Sequence, residues 1–333
     1  MTVGYREGQS FDATRQNWDG TGIRPLSWTA WYPASKGATA EVPRQVSWFR
    51  QEPVARDAPI APLPCDRSHP LVLLSHGSGA SASAMAWLAY RLAERGYVAL
   101  AVDHHGHTGS ERYRAEGFLC LWERAADLVA LLDDPSWRRA LGGSIDEQAH
   151  VAGFSAGAYT ALQLVGARVA YSQFEPDNPV KSPVRGPREF PDLADQLPGL
   201  QANPVFRKSW QRRRSDFSDP RFRSAIAIAP GRSVLGYAVE SLAAMSRPVF
   251  VIGGDADDVA PPSECCDWLA SHIEGSALEI ITGGIGHYTF LPEGSKIGTQ
   301  LSPDLFRDAA GVDRRAVHDA VAMRIADFLH DVR

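Results

Sequence analysis

Gly153-Phe154-Ser155-Ala156-Gly157 is the stretch whose reading decides the fold. A G-x-S-x-G pentapeptide between a strand and a helix forms a turn so sharp that its serine is held in a strained backbone conformation, with the hydroxyl in the open. Both flanks are present: His150-Val151-Ala152 suits the end of a buried strand, and the Ala- and Leu-rich run Ala156 to Val165 suits a buried helix. Small residues at 153 and 157 let strand and helix approach closely. Gly, Ser and Ala are common enough for the same pentapeptide to arise by chance in a surface loop, so its meaning depends on what surrounds it.

Outward from this turn the chain alternates strand and helix. Upstream, Leu71-Val72-Leu73-Leu74 and Tyr97 to Val102 are continuous apolar runs of the kind buried on both faces of a parallel sheet. Between them Ala84 to Arg95 has helical spacing, with Gly96 as its stop. Trp122 to Leu132 repeats the helical pattern through Ala125, Leu128, Val129 and Leu132. Downstream follow the strands Ala225 to Ala229, Val249 to Ile252 and Leu278 to Ile281, with a helical segment Ser263 to Ile273. The alternation predicts an α/β fold in which a mostly parallel sheet is flanked by helices on both faces, and the binding crevice of such a sheet lies at the carboxyl ends of its strands. Before this core, an antiparallel pair is expected from Leu26 to Tyr32 and Val46 to Phe49, followed by an extended connector from Pro53 to Pro64. Residues 168 to 223 are rich in Pro, Asp and Arg and too long for a simple connection. They are read as a cap inserted after the helix of the turn, within a single domain spanning 1 to 333. Arg212-Arg213-Arg214, followed by Asp216 and Asp219, is read as a solvated face.

Composition narrows the chemistry. Of 333 residues, 34 are Lys or Arg and 39 Asp or Glu, a net charge of -5 that gives no electrostatic footprint for nucleic acid or an anionic membrane. A small-molecule partner is expected. No apolar run approaches the roughly 18 residues of a membrane span, and Met1 to Glu7 lacks the apolar core of a signal peptide, so a cytoplasmic location is expected. Cys65, Cys120, Cys265 and Cys266 have no metal-ligand spacing and are read as reduced, mostly buried thiols.

A serine hydroxyl is a poor nucleophile at neutral pH and needs a histidine to take its proton and a carboxylate to orient that histidine. Gly253 to Pro261 is a carboxylate-rich loop at the crevice end of a strand; Asp257 has the expected spacing to Pro261, with Asp255 and Asp258 as alternatives. Gly283-Gly284-Ile285-Gly286-His287 puts a histidine on a glycine-rich loop after the last strand, which makes His287 the general base. The order Ser, Asp, His with each group at a strand end is the hydrolase order. In Ser75-His76-Gly77-Ser78-Gly79 the glycines expose the N-H of Ser78, which with the N-H of Ala156 forms an oxyanion hole. His76 is read mainly as ordering that loop. His76, His105, Trp122 and Tyr288 are the expected pocket side chains, with His107 as an alternative to His105. Asp103-His104-His105-Gly106-His107 also permits a metal site, the less favoured reading because no known ligand pattern accompanies it. The chemistry calls for no metal and no cofactor.

These residues resemble an α/β-hydrolase, and more narrowly the branch holding the bacterial dienelactone-hydrolase-like proteins and the plasma-type platelet-activating-factor acetylhydrolases. The resemblance covers nearly the whole chain. It rests on Arg24-Pro25-Leu26, Trp31-Tyr32-Pro33, the loop 75 to 79, Gly96-Tyr97, Asp103 to Gly106, the pentapeptide, Ala229-Pro230-Gly231 and Gly286 to Leu291. It implies Ser155 as nucleophile, Asp257 as acid, His287 as base, and oxyanion N-H groups at Ser78 and Ala156. True dienelactone hydrolases use a cysteine where this chain has Ser155, so dienelactone chemistry is not implied. The expected activity is hydrolysis of a small-molecule carboxylic ester. An amidase or lactonase would use the same groups, and a ligand-binding relative without chemistry is the alternative from another class.

Overall fold

Alternate residues of one strand feed two different cores. Leu71 and Leu73 pack with Leu128, Leu131 and Leu162, whereas Val72 and Leu74 pack with Leu88, Leu92, Ile325 and Leu329. Because side chains of a strand point alternately to opposite faces, this places helices on both sides of the sheet. Helices Glu123–Asp133 and Ala156–Leu164 cover one face; Ala86–Glu94 and Arg314–Asp331 cover the other. Every residue of the strand is buried, which is why its sequence reads as an unbroken apolar run. Truncating Leu73 to Ala at such a site costs about 2–5 kcal/mol.

The computed structural model describes residues 1–43 and 47–332. Among the described residues nine strands form one sheet: β1 (Val3–Gln16), β2 (Ile23–Pro33), β3 (Ala55–Arg56), β4 (His69–Ser75), β5 (Val98–Asp103), β6 (Ile145–Phe154), β7 (Phe222–Ile228), β8 (Val249–Gly254) and β9 (Ala277–Ile281). Their order is β3-β1-β2-β5-β4-β6-β7-β8-β9. From β5 to β9 all neighbours are parallel, while β2 pairs antiparallel with β5 and β1. The carboxyl ends of β4, β6, β8 and β9 therefore open on one side, where the chemistry-bearing loops gather.

The N-terminal region departs from expectation. The partner of Leu26 to Tyr32 is β1, in a register running from Val3 opposite Pro33 to Ser10 opposite Leu26. Of the expected partner, Val46 lies outside the described residues and Phe49 makes only an isolated bridge to Gly294. β1 escaped the sequence reading because half of it faces solvent and carries Arg6, Glu7 and Gln9 instead of an apolar run. The connector after Pro53 contributes the two-residue β3, parallel to β1.

Residues 168 to 223 contain two short helices, Leu193–Leu200 and Pro204–Gln211. Asn203 caps the second by accepting from the N-H groups of Val205 (2.9 Å) and Phe206 (3.4 Å). The basic run is solvated in part: Arg214 is exposed, whereas Arg212 and Arg213 are half-buried and paired. Arg212 pairs with Glu123 at 2.6 Å, Arg213 with Glu175 at 2.6 Å, and Arg214 donates to the Ala170 carbonyl. The first of these contacts ties the segment to the sheet-covering helix that begins at Glu123, and the other two lie within the segment. The four cysteines are free, with Cys65 exposed and the others buried. Among the described residues no helix is long and apolar enough to cross a membrane.

Candidate active site

β6 ends at Phe154 and the helix begins at Ala156, so Ser155 alone makes the turn, at φ 54° and ψ -113°. A non-glycine residue in this region costs on the order of 1–3 kcal/mol and persists only where its surroundings fix it. Here the fixing contacts are visible. The Ser155 N-H donates to the Ile228 carbonyl at 2.9 Å. A Cβ on Gly153 would overlap the Gly157 carbonyl, and one on Gly157 would overlap the Ser75 carbonyl, so strand, helix and neighbouring loop touch through backbone.

Three side chains from three strand ends meet in a line. His287 Nε2 is 3.1 Å from Ser155 Oγ, and His287 Nδ1 is 2.7 Å from Asp257 Oδ2. Asp257 and His287 are each about 4% exposed, so solvent screens the pair little. The other carboxylate oxygen, Asp257 Oδ1, accepts from the N-H groups of Val259 (3.0 Å) and Ala260 (2.7 Å), which fixes the acid's orientation. With the carboxylate accepting at Nδ1, the imidazole carries its proton there and presents the Nε2 lone pair to the serine hydroxyl. Geometry separates the three candidate acids. Asp255 instead accepts from the N-H groups of Gly283, Gly284 and Ile285, at 2.9, 3.0 and 2.8 Å, and those hydrogen bonds lower its pKa. Asp258 is exposed. Asp255 thus shapes the loop that delivers His287 without touching the imidazole.

The loop after β4 lies against the turn. A Cβ on Gly77 would stand 3.5 Å from Ser155 Cβ. Ala156 is the first residue of its helix, where N-H groups lack intrahelical acceptors. Beneath the loop, Arg124 is fully buried and donates to the His76 carbonyl, to Ser75 Oγ (3.1 Å) and to His107 Nδ1 (3.1 Å). Burial pulls its guanidinium down to about 9, which leaves it cationic at neutral pH. His107 Nε2 in turn meets Ser78 Oγ at 2.9 Å. His104 bridges Ser75 Oγ (2.9 Å) and Asp127 (3.0 Å), and Asp127 is itself paired with Arg24 and Arg15. Burial opposes the Asp127 charge, but the two arginines and His104 hold its carboxyl well below the usual range. Sequence reasoning missed this network because its members are spread over residues 15 to 127 and meet only through side chains.

The expected pocket residues divide. Tyr288 stands beside the imidazole, its ring 5.4 Å from that of His287 and edge-on to it. His76 is completely buried: its Nδ1 meets the Gly77 carbonyl at 2.7 Å and its Nε2 accepts from the His104 N-H, so it orders the loop and does not line a pocket. Trp122 is also a core residue, its indole N-H donating to Ser209 Oγ (2.9 Å) while the ring packs on Trp210. His105 is held between Glu111 (2.8 Å) and the Trp18 N-H. The three histidines 104, 105 and 107 turn to three different sets of partners. Two residues that the sequence reading did not assign to the site border it. A Cβ on Gly231 would lie 3.3 Å from Ser155 Oγ, and Glu189 Oε1 lies 2.7 Å from where a Cβ on Gly79 would stand. Glu189 comes from the 168 to 223 segment and its side chain is about 10% exposed.

A parallel sheet with a serine on a strand-to-helix turn, linked through a histidine to a buried carboxylate, defines the α/β-hydrolase architecture. Residues 71–295 match the sequence model of the alpha/beta hydrolase family, and the chain belongs to that family. Among solved structures it is similar to a ferulic acid esterase from Streptomyces cinnamoneus, with 19% identity and a TM-score of 0.63 over 98% of this chain and 88% of that one. A puromycin-hydrolyzing peptidase from Mycobacterium tuberculosis aligns with 14% identity and a TM-score of 0.46, over 79% of this chain and 34% of the peptidase. No curated protein matches the sequence.

Proposed function

We propose that the protein is a serine hydrolase that cleaves a carboxylic ester of a small molecule through an acyl-enzyme intermediate. The observation that carries this reading is the hydrogen-bonded line from Ser155 through His287 to Asp257 at the head of the strained turn. Ser155 Oγ attacks the ester carbonyl while its proton passes to His287 Nε2. The imidazolium so formed is stabilised by Asp257, which accepts from its Nδ1-H. The N-H groups of Ser78 and Ala156 receive the negative charge that develops on the carbonyl oxygen. His287 then returns the proton to the departing alkoxide. Water, deprotonated by the same imidazole, attacks the acyl-enzyme and releases the acid.

Residues 168 to 223 are proposed to cap the crevice, a role supported by Glu189 at the Gly79 loop and by Phe190, whose ring lies 5.1 Å from that of Phe118. Within the family the chain is assigned to the dienelactone-hydrolase-like and plasma-type acetylhydrolase branch, on the motifs quoted above and with serine chemistry. The test is Ser155→Ala, assayed on a p-nitrophenyl ester. Turnover should fall to background while the thermal midpoint stays within a few degrees; activity equal to the unmodified protein would overturn the proposal.

A further inference from the structure

We infer that the Ser78 hydroxyl is a third hydrogen-bond donor to the oxyanion, held in that role by His107 and Arg124. The inference rests on the hydrolase reading above and follows from counting protons. A guanidinium has donors and no acceptor. His107 Nδ1, 3.1 Å from the buried Arg124 guanidinium, must therefore offer its lone pair. A second proton on His107 is opposed first by burial and then by the Arg124 charge, which hold its pKa well below the ordinary value. The ring is neutral and its one proton sits on Nε2. That nitrogen is 2.9 Å from Ser78 Oγ, so His107 donates and the serine oxygen accepts.

The Ser78 hydroxyl proton is then free to point elsewhere, and among the described residues no acceptor takes it. Ser78 is exposed, on a loop whose Gly77 lies against Ser155. One residue thus offers its backbone N-H and its O-H to the same oxygen. The donor is pre-aligned because Arg124 also holds the His76 carbonyl just before the loop. Its effect belongs to the transition state, since a neutral carbonyl accepts far more weakly than an oxyanion.

The experiment compares Ser78→Ala, Ser78→Thr and Ser155→Ala on a p-nitrophenyl ester and measures inhibition by a trifluoromethyl ketone, which forms a tetrahedral adduct. Ser78→Ala should lower kcat roughly 30- to 100-fold with KM changed less than about threefold, and weaken the ketone by a similar factor. Ser78→Thr, which keeps the hydroxyl, should recover kcat to within about fivefold of the unmodified protein. A Ser78→Ala kcat within about threefold of the original, or Ser78→Thr as impaired as Ser78→Ala, overturns the inference. If Ser155→Ala is inactive while Ser78→Ala is fully active, only the third donor fails. If Ser155→Ala is itself active, the hydrolase reading fails with it.

Discussion

His287 Nε2 and Ser155 Oγ, 132 residues apart in the chain, stand 3.1 Å from each other because the loop after β9 and the turn after β6 both leave the carboxyl ends of parallel strands in one sheet. Neither group is placed by its own loop alone. Asp255 braces residues 283 to 285 from below, and Asp257 holds the far side of the imidazole. The two acids, two residues apart, divide positioning of the loop from positioning of the ring.

That division predicts different outcomes for the two amides. Asp257→Asn removes the acceptor that fixes the His287 tautomer and should lower kcat on the order of 10³- to 10⁴-fold with the fold intact. Asp255→Asn keeps one acceptor for the loop and should leave kcat within about tenfold of the original. Steady-state kinetics on one ester decides the matter; equal losses would refute the distinction.

Two glycines near Ser155 should respond in opposite ways. Gly157→Ala places a methyl on the Ser75 carbonyl, a backbone clash that no rotamer relieves, so the variant should be strongly destabilised or insoluble. Gly231→Val places its Cβ 3.3 Å from Ser155 Oγ and 3.6–3.7 Å from the Ser155 and Ala156 backbone, contacts without backbone overlap. It should fold with a near-normal melt and lose turnover by crowding the attack path. Circular dichroism melts beside ester kinetics separate the two.

Stability should fall in mild acid. His104 and His318 are pulled down to about 3 and His76 and His107 lie well below the ordinary value, in each case chiefly by burial. Below about pH 6.5 the unfolded chain binds protons at these four sites that the folded chain refuses, so unfolding takes up protons and stability declines as pH drops. Above pH 6.5 both states are neutral there and the effect vanishes. At pH 5.5 each site costs stability on the order of 1 kcal/mol. Urea titrations at pH 7.5 and 5.5 should therefore differ by several kcal/mol, and equal midpoints would contradict the assignment of these histidines as buried and neutral.

Glu189 beside Gly79 should bias substrate charge. A carboxylate beside the loop after β4 repels a second anion and disfavours esters that carry one. Glu189→Gln should raise kcat/KM for an ester bearing a free carboxylate several-fold relative to its neutral counterpart, an effect that shrinks in high salt. An unchanged ratio would remove Glu189 from the substrate's path.

How much of this was legible in the sequence follows from the range of the interactions. The parallel strands were, because burial on both faces writes an apolar run, as in Leu71 to Leu74. The line Ser155, His287, Asp257 was, because each group follows a strand that ends at the crevice, although choosing Asp257 over Asp255 required a spacing rule that geometry now replaces with hydrogen bonds. β1 was not, since a half-exposed strand beside β2 carries alternating polarity. Arg212 and Arg213 looked solvated because their partners, Glu123 and Glu175, are distant in sequence. Trp122 looked available to a ligand because an indole's burial depends on packing that no local pattern records.

The most direct test of the account is to label the protein with a fluorophosphonate and locate the adduct by peptide mass spectrometry. One adduct is expected, on Ser155, blocked by prior denaturation and strongly reduced in His287→Ala. Absence of labelling in the folded, active protein, or an adduct on any other residue in its place, would contradict it.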